Sequence, residues 1–173
     1  RLPRPRLTPG VRRLLALMAP GLIGAGVVQI NLVVDVILAS TLREGSVSFL
    51  YFADRINQLP LGVIGVAVGV VLLPLLTRQL ADGDEAAASD SQNRAIEFAL
   101  ILTLPAAAAL MSIAGPIVSV LFGRGAFDGA ATAATAAALI AFAAGLPAYV
   151  LIKALTPGFF ARQDMATPVK VAI

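Results

Sequence analysis

One stretch of the chain combines groups that could hold a charged ligand. Tyr51, Asp54, Arg55 and Gln58 recur at three- and four-residue spacing, so a helix turning about 100° per residue gathers them on one face. Gly62, Gly65 and Gly69 continue the same stripe into an apolar run without charge as far as Leu76. A polar stripe above a stripe without side chains is a poor surface to show to lipid and suits the wall of a cavity. Glycines below it keep that wall free of side chains. The alternative is a charged pair, Asp54 and Arg55, lying among lipid headgroups, with glycines that only let a neighbouring helix approach. A second group lies upstream, where Asn31 and Asp35 share a face at i, i+4 and Gln29 stands nearby.

The chemistry absent from the chain is equally informative. There is no Cys and no His among the 173 residues, so disulfides, thiolates, the usual general base and the commonest metal ligand are excluded. No catalytic residue and no metal site is assigned, and an enzyme active site is not expected. Hydrophobic residues make up 58% and charged residues 13%, against about 25% charged in soluble domains. With a mean hydropathy of +0.89, the chain reads as a membrane protein. Its net charge of +3 does not point to nucleic acid, because the basic residues flank hydrophobic spans.

The expected fold class is all-α, a polytopic transmembrane helix bundle with four complete spans and the start of a fifth. The pattern predicts a basic cytoplasmic linker over residues 1–13, with five Arg, three Pro and no acid. Spans follow at about 14–42, 47–76, 95–122 and 129–156, and another starts at 168. Pro20, Pro60 and Pro74 are kink candidates. Arg43-Glu44-Gly45-Ser46 predicts a tight turn, Ser89 with Gln92 fits a capping box, and Pro157 to Pro168 is expected to break the fourth span. Thr132, Thr135 and their alanines suit close helix packing, and Lys153 lies where it can snorkel to the inner interface. Gly123 to Gly129 lacks the Lys-Ser/Thr of a phosphate loop. The chain opens on Arg1 and stops at Ile173 inside an apolar run, which is expected of an internal piece of a longer protein.

Lys and Arg orient the ladder. Arg1 to Arg13, Arg78 to Arg94 and Phe160 to Lys170 are expected on the cytoplasmic side, and Ser46 and Gly125 outside. Asp35 lies ten residues before Gly45 and Arg55 ten after it. At about 1.5 Å per residue both lie roughly 15 Å from the outer turn, near the middle of a core about 30 Å thick. Charges at that depth cost about 2.5–3.5 kcal/mol on insertion scales, so idle ones are not expected. The pair either faces one wet cavity or forms an ion pair.

Several segments resemble the MurJ/MviN family of bacterial lipid II flippases, within the multidrug/oligosaccharidyl-lipid/polysaccharide exporter superfamily. They are Gln29 to Asp35, Tyr51 to Arg55 with Leu59 to Gly62, Leu121 to Phe127, and Gly145 to Tyr149 continuing through Phe160-Ala161-Arg162-Gln163-Asp164 to Thr167-Pro168. The resemblance implies a fourteen-helix protein with two six-helix lobes around a cationic cavity. This stretch would be the seventh to tenth helices and the start of the eleventh. It implies a multi-pass protein of the bacterial cytoplasmic membrane that moves the undecaprenyl-diphosphate-linked precursor, lipid II, to the outer leaflet by alternating access. Its partners would be lipid II, membrane lipids and the remaining helices of the same chain. Of the family's cavity arginines, only the one matching Arg55 falls in this stretch. Tyr51, Asp54 and Gln58 would share its substrate-binding face, although other members can carry an acid at the position of Gln58. Pro20, Pro60, Gly62, Gly65 and Gly69 would serve bending and packing. No cofactor is implied beyond a coupling cation, Na+ or a proton, at Asp35 and Asn31, or else the membrane potential. The competing readings are a cation-coupled drug antiporter using Asp35 as its exchanging acid, and a non-transporting scaffold with Asp35 and Arg55 as a structural pair.

Overall fold

The computed structural model describes residues 9–172, apart from the side chains of residues 10, 13–17, 19–21, 23, 28 and 172. Its elements are α1 (Pro9–Ser40), α2 (Ser46–Pro60), a π-helical turn (Leu61–Val66), α3 (Ala67–Ala81), α4 (Glu85–Ser112), α5 (Ala114–Phe122), α6 (Gly129–Ala161) and α7 (Ala166–Ala172). No strand occurs among the described residues. Among the described residues, three helical runs are long and apolar enough to cross a membrane: Ser46–Ala81, Glu85–Ser112 and Gly129–Ala161. In α1 an apolar stretch covers Gly24–Ser40 among the described residues.

Local chemistry explains the ends. Gly45 holds a left-handed backbone at φ +88°, and a Cβ there would meet the Phe49 ring at 2.8 Å. That residue makes the outer turn possible. Asp84 accepts the Ala87 N–H at 2.8 Å and starts α4, and Asp128 does the same for Ala131 and α6. The capping box expected at Ser89 and Gln92 is therefore not used. A stronger cap five residues earlier puts both inside α4. The ten extra residues, Glu85 to Arg94, carry α4 beyond the predicted span, and Ile113 separates it from α5.

The helix bounds differ from expectation at other points. Pro9 to Arg13, read as linker, belongs to α1, and Pro9 suits a first helical position. Residues 1–8 lie outside the described residues. Pro157 does not break α6, which continues to Ala161 and ends where Gln163 takes φ +60°. Both Pro157 and Gly158 are buried, so packing compensates for the missing N–H.

Helix α6 is the axis of the bundle. Its buried residues, Ala131, Thr135, Leu139, Ala143, Leu146, Val150 and Ala154, recur every three or four positions along its length. An inner core joins Leu146, Val150 and Ala154 to Ile64, Val68, Leu72 and Leu76, and to Ala88, Ala99 and Ala107 of α4. An outer core joins Ala136 and Leu139 to Ala53 and Ile56 of α2 and to Ala114 and Val118 of α5. The many alanines let helix backbones approach closely, the usual basis of association where lipid removes the hydrophobic drive. Beside the outer core, Phe49 and Phe52 of α2 stack edge-on with Phe127 at 6.5 and 5.7 Å, and Phe122 packs on Phe52. This aromatic cluster ties the glycine-rich turn to the top of α2.

Candidate functional site

The upper half of the Ser46–Ala81 helix positions the site. Ala53, Ile56 and Asn57 are buried on its inner side, which turns Tyr51, Arg55 and Gln58 outward, with Asp54 half-buried beside them. The four form one continuous chain of contacts. A guanidinium nitrogen of Arg55 donates to the Tyr51 hydroxyl at 2.8 Å, and its other terminal nitrogen donates to Gln58 Oε1 at 3.3 Å. Gln58 Nε2 in turn donates to Asp54 Oδ2. The Arg55 carbon lies 4.8 Å from the Tyr51 ring centre, within cation–π range. Gln58 thus holds the acid and the base apart while bridging them.

Among the described residues, no carboxylate pairs with Arg55. The ion pairs among the described residues are Asp90–Arg94 and Glu85–Arg162, both at 3.0 Å near the helix ends. Asp35 and Arg55 do not form one, and Asp35 and Asn31 are both exposed on α1. The structure therefore leaves the Arg55 guanidinium with a hydroxyl, an amide and an aromatic face, and with donors to spare for an anion.

The glycines divide. Gly62 has open space where a side chain would stand. At Gly65 a Cβ would meet Lys153 Cγ at 3.2 Å, and at Gly69 the Lys153 carbonyl at 3.9 Å. Gly62 leaves room, whereas Gly65 and Gly69 admit α6. Pro60 is immediately followed by the π-helical turn. A proline cannot donate the regular helical bond, and a widened turn is one way for the backbone to absorb that. The Pro20 side chain lies outside the described residues. Two participants were missed by the sequence reading. Lys153, expected to snorkel, is exposed and lays its stem over Gly65, a contact that spacing alone did not give. Asn57 is 3% exposed behind the polar face, and its Oδ1 has no partner among the described residues.

The family described as "Lipid II flippase MurJ" matches residues 2–173. The chain belongs to the MurJ family. It is 54% identical over 165 residues to a probable lipid II flippase MurJ of Rhizobium meliloti, covering 95% of this chain and 31% of that protein. With the lipid II flippase MurJ of Burkholderia cenocepacia it shares 39% over 165 residues, covering 95% and 32%. A solved MurJ structure, in an inward closed conformation, superposes with a TM-score of 0.78 at 28% identity, covering 96% of this chain and 35% of that one. The chain thus spans about a third of the length of the curated relatives it matches. MurJ is a transporter rather than an enzyme, and the chain is a multi-pass protein of the bacterial inner membrane.

Proposed function

We propose that this chain forms part of a flippase that moves lipid II across the cytoplasmic membrane by alternating access, and that Arg55 grips the diphosphate of its substrate. The observation that carries the reading is an exposed arginine within a membrane-spanning helix, oriented by Tyr51 and Gln58 and unpaired by any carboxylate among the described residues. A planar guanidinium offers two parallel donors to phosphate oxygens, and in a low-dielectric cavity such contacts are strong. Tyr51, Asp54 and Gln58 hold the fork in place. Asp35 with Asn31 is the site for a coupling cation, Na+ or a proton, with the membrane potential as the other driving force. The segment around Pro60 and its π-helical turn lets the two halves of the helix reorient as the cavity opens and closes. The remaining partners are membrane lipids and the other helices of the full-length protein.

Complementation of a strain depleted of its own flippase tests the assignment, with full-length protein in the membrane measured in parallel. Arg55→Ala abolishes growth while inserting normally. Arg55→Lys keeps the charge but loses the fork, and leaves transport clearly reduced. Full complementation by Arg55→Ala would overturn the reading and reduce Arg55 to an anchor.

A further inference from the structure

The core of the bundle contains polar groups that the Arg55 face does not use. Asn57 and Thr103 are buried, at 3% and 0% exposure, and Asn57 Oδ1 and Thr103 Oγ1 have no hydrogen-bond partner among the described residues. A buried polar atom left unpaired is costly, so each calls for a partner. The threonine is turned away from its own helix. Thr77, Thr132 and Thr156 donate to the carbonyl four residues back, at 2.8, 2.9 and 2.6 Å. Thr103 makes no such bond to Ala99. Its hydroxyl hydrogen is therefore available to a group outside α4.

Both groups point into one core at one height. Asn57 precedes Leu61, Ile64 and Val68 by four, seven and eleven residues, and so continues the face by which its helix packs. Thr103 lies between Ala99 and Ala107, which meet the same core from α4. Two contacts set the height of each against α6. Gly65 is seated against Lys153, and Asn57, eight residues earlier on a run parallel to α6, falls opposite about residue 145. Gln92 Nε2 donates to the Leu155 carbonyl at 3.4 Å. Thr103, eleven residues later on a run antiparallel to α6, falls opposite about residue 144. Helix α2 packs against both α4 and α6. Thr135, also buried without a partner among the described residues, lies about ten residues further up α6 and belongs to another level.

Prolines add acceptors at this height. Pro60 and Pro147 have no N–H, which frees the carbonyls of Ile56 and Ala143, two buried residues. Carbonyls freed inside a membrane are met by hydroxyls or ordered water. Pro105 of α4 is exposed, so the carbonyl it frees lies on the outer side of the bundle. The inward set is one donor, the Thr103 hydroxyl, with the Asn57 amide oxygen and a freed carbonyl as acceptors. A water satisfies that set by accepting one hydrogen and donating two, the usual three bonds of a buried water. A metal cation fits less well: it leaves the hydroxyl hydrogen unused, and no carboxylate among these groups offsets its desolvation.

We propose that Asn57 and Thr103 hold a buried water between α2 and α4, whose second hydrogen goes to the Ile56 or Ala143 carbonyl. Such a bridge keeps the polar groups paired while the helices shift at their prolines. The site lies behind Arg55 and does not depend on what that residue binds.

Hydroxyl-radical footprinting of the full-length protein, with radicals made by X-ray pulses from water already in place, tests it. Leu146 stands at this height and is fully buried, so radicals from bulk solvent do not reach it. Oxidation of Leu146 is expected in the wild type. Thr103→Val keeps the shape, removes the donor and lowers that oxidation about five-fold. Thr103→Ser keeps the donor and retains it. An unoxidised Leu146 in the wild type means a dry layer and overturns the proposal without any variant. Oxidation unchanged in Thr103→Val, or lost in Thr103→Ser, means that Thr103 does not hold the water and overturns it as well. A thermal melt checks the fold of each variant, and if Thr103→Val does not fold, the wild type and Thr103→Ser decide.

Discussion

The helix Ser46–Ala81 is two different objects on either side of Pro60. Above it, an exposed face carries Tyr51, Arg55 and Gln58, and each polar group on it finds a partner within one turn. Below it, the π-helical turn and α3 turn valines outward and use Gly65 and Gly69 as a seat for α6. The upper half keeps polar chemistry accessible by satisfying it locally. Its lower counterpart gives up side chains to gain contact. One continuous helix can do both because its polar face and its packing face part company at the proline.

The sharpest way to break that comparison is to load both halves of the glycine stripe. Gly65→Leu must displace the Lys153 stem, and overpacking of this kind costs about 1–3 kcal/mol. Gly62→Leu meets open space and gains helix propensity, so stability stays level or rises by less than about 1 kcal/mol. Thermal unfolding of the full-length protein in detergent separates the two. Equal melting temperatures would mean that Gly65 is not a seat for α6.

A smaller loss is expected at Asp35, which is exposed on α1. Asp35→Asn keeps the shape and removes the charge, so transport falls about ten-fold, equivalent to about 1.4 kcal/mol, while membrane protein is unchanged. The readout is outer-leaflet precursor set against protein amount. Full transport at normal expression removes the coupling role, and loss of the protein itself assigns Asp35 to structure.

Within the upper half, Tyr51→Phe tests whether the phenol positions the guanidinium. It deletes the 2.8 Å hydrogen bond but leaves the ring beneath Arg55. The expected loss is about 1 kcal/mol, or roughly five-fold in transport. An unaltered rate would leave the ring alone as the support.

The polar stripe was legible in the sequence because its members sit three and four residues apart on a single helix. Local geometry alone brings Tyr51, Arg55, Gln58 and Asp54 into contact, whatever the rest of the chain does. Membrane character and the all-α class were legible for a similar reason: both follow from composition and run length. The glycine stripe was only half legible. Whether a glycine leaves a void or receives a neighbour depends on the register of α6, and only the packed structure separates Gly62 from Gly65. The contact of the Lys153 stem with Gly65 was hidden for the same reason. Helix ends erred where two signals competed. Asp84 captured the start of α4 from Ser89, and burial carried α6 past Pro157.

The last and smallest effect lies outside the bilayer, where polar groups are satisfied as locally as they are around Arg55. At the start of α7, Asp164 accepts from the Thr167 hydroxyl at 2.5 Å and from the Thr167 and Ala166 N–H groups at 3.0 and 3.1 Å. The Thr167 hydroxyl, followed by its N–H, holds the carboxyl below its ordinary range. Burial opposes this weakly, and the Ala166 N–H and Lys170 add to the lowering. A carboxyl whose folded pKa is depressed stabilises the fold fully above its unfolded value, about 3.9. That contribution is lost as pH falls through the lower, folded value. Hydrogen exchange of the first turn of α7 in the full-length protein should therefore be level from pH 7 down to about 4.5 once corrected for intrinsic rates, and rise only in stronger acid. Asp164→Asn should raise that exchange a few-fold at neutral pH and abolish the acid-dependent step. An acid step that persists in the variant would place the titrating group elsewhere.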